Sequence, residues 1–151
     1  MLKQADSMIA PMSPTTFRIL ILCSVILGTA AAFLDTLFPE LIPQSIAQAV
    51  ENEPLPALFD NLWLTVTIFL PLLIVVSIST IGLFFFKAWA RALAFYSTIL
   101  SFAVYPFFGP VLSSAWSSAL TEASSLLWGA ILAIAYYSPL REQFTTHEKN
   151  G

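Results

Sequence analysis

The chain has 151 residues, 58% of them hydrophobic and only 10% charged, with a mean hydropathy of +0.82. This is too apolar for an ordinary soluble domain and reads as an integral membrane protein. The same composition excludes soluble catalysis; six Lys and Arg against nine Asp and Glu, with a pI near 4.9, leave no basic surface for a phosphate backbone and exclude nucleic-acid binding.

Residues 1–13 form an N-terminal tail. Ser13 followed by Pro14 has the form of an N-cap with proline at the first helical position, and opens a first predicted span, 14–38. Such a helix rises about 37 Å, enough to cross a hydrocarbon core of about 30 Å. Arg18 can extend its head to the lipid headgroups. Ala30, Ala31 and Ala32 behind an apolar run also resemble a signal-peptide cleavage site, but the region ahead of that run is unusually long, so the segment is expected to stay as a span.

Residues 39–60 form the outer loop. Pro43 can open a short interfacial helix, with Ile42, Ile46 and Val50 on one side and Gln44, Gln48 and Glu51 on the other. Pro54 and Pro56 end it. The second span, 61–86, carries Trp63 at one boundary and Phe84, Phe85, Phe86 and Trp89 at the other, as membrane-interface anchors. Pro71 near its centre removes a backbone hydrogen bond and predicts a kink. A turn at 87–88 leads into the third span, 89–108, which must pack antiparallel to the second. Breakers and aromatics from Tyr105 to Pro110 mark an outer turn, 109–113. The fourth span, 114–138, begins in a Ser-rich entry and leaves a tail, 139–151. The predicted fold class is therefore an all-α integral membrane protein with four transmembrane helices in an antiparallel bundle.

Four spans put the N-terminus, the middle turn and the C-terminus on one side. Those segments hold Lys3, Arg18, Lys87, Arg91, Arg141 and Lys149, every basic residue of the chain. The positive-inside rule then predicts that both termini are cytoplasmic. The outer side holds Asp35, Glu40, Glu51, Glu53, Asp60 and Glu122 without a basic residue. Lys87, Trp89 and Arg91 read as a topology signal with an aromatic anchor, two charges being too few for a polybasic lipid-binding cluster.

Small residues let membrane helices approach closely, so they mark the expected packing faces. In the first span Ser24, Gly28, Ala31 and Asp35 share one face, opposite Leu22, Ile26, Phe33 and Leu37. In the third, Ala90, Ala94, Ser97, Ser101 and Tyr105 do the same. In the fourth, Ser118, Glu122, Ser125, Gly129, Ala133 and Tyr136 lie together, with Leu120, Leu127, Ile131 and Ile134 assigned to lipid. On this wheel Asp35 and Glu122 come to one outer level; they read either as acids that reach the outer headgroup water, the reading favoured by their closeness to helix ends, or as a candidate ion or proton site facing into the bundle, where neighbouring carboxylates resist double ionisation.

Cys23 is the one cysteine and His147 the one histidine; neither a disulfide nor a Cys or His metal cluster can be built from them, and no cofactor is implied. No protease, P-loop, Rossmann or haem motif occurs. The layout is similar to that of many small bacterial four-helix membrane proteins, and no stretch carries a family-specific motif. The leading expectation is a non-enzymatic, multi-pass protein of a bacterial inner membrane, acting as an accessory subunit or self-oligomer through helix contacts. Its partners would be the lipid bilayer and other membrane subunits or itself. The competing expectation is a small transporter or channel using Glu122, Asp35 and the Pro71 kink; a membrane-embedded enzyme lacks an evident base and nucleophile pair.

Overall fold

The computed structural model describes residues 13–45, 48, 62–108 and 112–146, and among these every regular element is helical. Four long helices follow in order: α1 (Pro14–Leu37), α2 (Leu62–Phe84), α3 (Ala88–Val104) and α4 (Ala115–Tyr137), then a short α5 (Arg141–Thr146). Single 3-10 turns occupy Pro39–Leu41 and Tyr105–Phe108. Three helices are long and apolar enough to cross a membrane: Pro14–Leu37, Trp63–Phe84 and Ala115–Tyr137. α3 is shorter, at 17 residues. Of the expected interfacial helix, Gln44, Ser45 and Gln48 are helical; Ile46, Val50, Glu51 and the rest of that loop lie outside the described residues, as does His147.

Local chemistry sets the helix ends. Ser13 Oγ accepts the Thr16 N–H at 3.1 Å, and Ser114 Oγ accepts the Ser117 N–H at 3.2 Å, each satisfying one of the orphan donors of a helix N-terminus. α2 runs unbroken through Pro71, which is exposed; the ring has no N–H to return to Thr67, yet the helix continues on both sides. The turn between α2 and α3 is tighter than a loop of polar residues would be. Lys87 N–H donates to Gly82 O at 2.9 Å and Phe86 N–H to Leu83 O at 3.1 Å, the paired bonds of a Schellman C-cap, with Phe86 at φ 55° in the left-handed position that glycine usually takes.

The helices pack mainly as two antiparallel pairs, α1 with α4 and α2 with α3. The pairs join chiefly at one end, around a buried cluster of Phe17, Ile21, Leu83, Phe86, Ala90, Ala94, Ile131, Ala135, Leu140 and Phe144. Phe86 and Phe144 stack edge to face at 5.2 Å, and Phe17 lies 5.5 Å from Phe86 and 6.1 Å from Phe144. Thus the segment after Ser138, read as a plain tail, instead supplies two core residues, Leu140 from the turn before α5 and Phe144 from α5. Elsewhere Trp128 donates to Thr98 Oγ1 at 2.9 Å, tying α3 to α4.

Gly82 carries the closest approach in the hairpin of α2 and α3. A Cβ there would lie 2.6 Å from the Ala90 Cβ and 2.8 Å from the Trp89 ring, so only glycine lets the two backbones meet.

Candidate functional site

Asp35 and the serines around it form the most polar contact between helices. On α1 the residues facing α4 recur at spacings of four and three: Phe17, Ile21, Ser24, Gly28, Ala31 and Asp35. On α4, Ser117, Ser124 and Ile131 recur every seven residues, and together these are the seam positions of two helices in coiled-coil register. Ser124 Oγ donates to Ser24 O at 2.9 Å, and Ser24 Oγ donates back to Ser124 O at 3.2 Å. Gly28 makes room for this exchange, since a Cβ at that position would sit 3.1 Å from Ser124 Oγ. Two turns further, Ser117 Oγ donates to Ala31 O at 2.9 Å. Apolar surroundings cannot hydrate these hydroxyls, so each is matched to a carbonyl of the opposite helix.

The seam ends at Asp35. Its Oδ2 accepts the backbone N–H of Ser114, the N-cap of α4, at 3.0 Å. A carboxylate there meets the positive end of the α4 dipole. Its other oxygen, Oδ1, is shielded from solvent and has no hydrogen-bond partner among the described residues.

The outward residues of α1 match the expected division: Leu22, Ile26, Phe33 and Leu37 are exposed, while Ser24 and Ala31 are buried and Gly28 and Asp35 half-buried. On α4 the division is reversed. Ile131, assigned to lipid, is fully buried, whereas Glu122, Ser125, Gly129 and Ala133 are exposed. A Cβ on Gly129 would meet nothing within 4 Å. Ser125 Oγ turns back to Thr121 O within its own helix, and Ser118, half-buried, bonds Ser113. On α3, Ala90, Ala94 and Ser97 are buried, but Tyr105 is exposed.

Asp35 and Glu122 are therefore not brought together. Asp35 is level with Ser114, and Glu122 lies eight residues further, about 12 Å along the axis. Counting about 100° per residue, it also points some 140° away from Ser117 and the α1 seam. α4 carries small residues all round, so a search for one small face has more than one solution; the seven-residue recurrence shared with α1 picks out the right one. Among the described residues no group of three His, Cys, Asp or Glu could hold a metal ion.

Two arginines act at the opposite end. Arg18 Nε donates to Phe84 O, the last residue of α2, at 3.3 Å, and its guanidinium sits 5.3 and 5.4 Å from the Phe84 and Phe86 ring centres. Arg91 Nη1 reaches Ala135 O at 3.5 Å and lies 4.9 Å from the Phe144 ring. Both cations thus sit near helix C-termini, where the dipole favours them. Comparison of the chain with known protein families, with curated proteins and with solved structures gives no match in any of the three.

Proposed function

We propose that this chain is a four-pass, non-enzymatic protein of a bacterial inner membrane, with both termini cytoplasmic, that works as an accessory subunit or self-associating oligomer through the outward face of α4. Three helices already have the length and hydropathy of spans. α3 with its 3-10 extension, Ala88–Phe108, adds a fourth crossing of about 33 Å. Arg18, Lys87 and Arg91 then share the cytoplasmic end.

The carrying observation is that α4 has two unlike polar faces. One is used within the chain against α1. The other presents Glu122, Ser125, Gly129 and Ala133 with nothing of the described chain over them. A lipid-facing carboxyl is costly in a span, and a notch at glycine is the form of surface on which another helix packs. A partner helix donating to Glu122 would satisfy both. The transporter reading is weaker on this geometry, because Asp35 is engaged by Ser114 and Glu122 lies on the far side of α4.

Proton or cation flux in liposomes against copurification from mild detergent separates the two. Under this proposal the chain runs as a stoichiometric complex, with itself or a second membrane protein, and Glu122→Gln leaves flux at the empty-vesicle level. Flux in the wild type that is lost in Glu122→Gln refutes it.

A further inference from the structure

The fold gathers at one end cations that lie far apart in sequence. Arg18 comes from α1, Lys87 and Arg91 from the start of α3, and Arg141 from the first turn of α5; the Phe17, Phe86 and Phe144 cluster holds these elements together. Lys87, Arg18 and Arg141 are exposed. Among the described residues the only carboxylate on these end segments is Glu142.

Donors remain at this end. Arg18 uses Nε on Phe84 O, which leaves its two terminal nitrogens for an anion, and the Phe84 and Phe86 rings fix the guanidinium plane. Lys87 is the N-cap of α3 and makes no side-chain cap bond, so, apart from Ala90, whose N–H donates to Lys87 O, the first-turn N–H groups face the same end with the positive pole of the helix behind them. Trp89, exposed, places an amphipathic ring beside them at the level of lipid headgroups.

We infer that this end binds the phosphate of an anionic phospholipid headgroup, held by Arg18 and Lys87 at the uncapped start of α3 with Arg141 alongside. Two charges in one turn are too few for such a site; the fold adds Arg18 and Arg141 from two other helices to Lys87, while Arg91 is engaged with Ala135 O and the Phe144 ring. Guanidinium and ammonium groups around a helix N-terminus match the charge and acceptor oxygens of a phosphodiester. The inference is independent of any partner on α4, since it uses the other end of the chain and different side chains.

The test is lipid retention and thermal melting of the full chain in phosphatidylcholine nanodiscs with and without phosphatidylglycerol. Phosphatidylglycerol is expected to raise the melting temperature and to be retained preferentially. Lys87→Gln, whose side chain is exposed and outside the core, is expected to weaken retention about fivefold, as is Arg141→Gln, since a charge near an anionic surface contributes on the order of 1 kcal/mol. Arg18→Lys, which keeps the charge and loses the planar fork, is expected to weaken retention while the protein still folds. Equal melting and retention in both lipids, or full retention in Lys87→Gln, Arg141→Gln and Arg18→Lys, overturns the inference. An equal rise with soluble glycerol phosphate in phosphatidylcholine discs assigns the site to free phosphate and overturns its lipid identity.

Discussion

Asp35 and Ser114, 79 residues apart in sequence, are joined by a 3.0 Å hydrogen bond from the Ser114 backbone N–H to a carboxylate oxygen. The last residues of α1 thereby fix the first of α4. The carboxyl is a helix anchor in this arrangement, and the repulsion expected between Asp35 and Glu122 has no geometric basis.

Asp35→Ala removes the acceptor and leaves a helix N–H without its partner, so it should destabilise by about 1–2 kcal/mol. Asp35→Asn keeps an acceptor oxygen and loses only the charge on the helix dipole, about 0.3–1 kcal/mol. Glu122→Gln should be close to neutral in the isolated chain, and the Asp35→Asn, Glu122→Gln pair should be additive. Thermal melts in detergent check the order. Stabilisation by either amide would restore the facing-carboxylate arrangement.

The glycines separate as sharply. Gly82→Ala forces a methyl onto the Ala90 Cβ at 2.6 Å and should cost about 1–3 kcal/mol by overpacking. Gly129→Ala meets open space within the described chain and should leave the melting temperature of the isolated chain unchanged or slightly raised. Equal effects at the two positions would contradict the α2 to α3 contact.

Much of the helical layout is legible in the sequence, because apolar length, the Ser13 and Pro14 start and the Trp63 and Phe84 boundaries are local signals. The face of α1 is legible too, since its bulky and small residues segregate. α4 is not readable by the same rule: Ser117, Ser118, Ser124, Ser125, Gly129 and Ala133 surround the helix, and only register with a distant helix decides which of them is inside. Gly82 and Phe144 escape for a similar reason. One matters only through a close approach to Ala90, and the other sits in a polar tail where its spacing of four from Leu140 is the sole clue.

Ser24 and Ser124 exchange two hydrogen bonds across the α1 to α4 seam. Interhelical bonds of this kind average about 0.6 kcal/mol and reach about 1.7. Ser24→Ala and Ser124→Ala should each fall in that range, and the double variant should cost close to the sum, because each hydroxyl donates to a backbone carbonyl that the other substitution leaves in place. A double variant costing no more than either single change, read from a double-mutant cycle, would show that the two bonds stand or fall together.

The aromatic end gives a paired prediction. Phe144→Ala empties a fully buried site and should cost about 3–5 kcal/mol. At Phe86, a non-glycine residue at φ 55° carries about 1–2 kcal/mol of strain, so Phe86→Gly should be less damaging than Phe86→Ala although both lose the ring. The reverse order, read from denaturation in detergent, would mean that the turn does not hold Phe86 in the left-handed conformation.

The proposed role of α4 is tested most directly by measuring the mass of the particle in mild detergent for the wild type and for Gly129→Leu. The wild type should run as a stoichiometric complex, and Gly129→Leu, whose new side chain meets nothing of the described chain, should release a single chain that still melts cooperatively, at a temperature lowered only by the loss of the partner. A wild type that runs as a single chain without partner, or a complex that survives Gly129→Leu unchanged, would contradict the assignment of that face to partner binding.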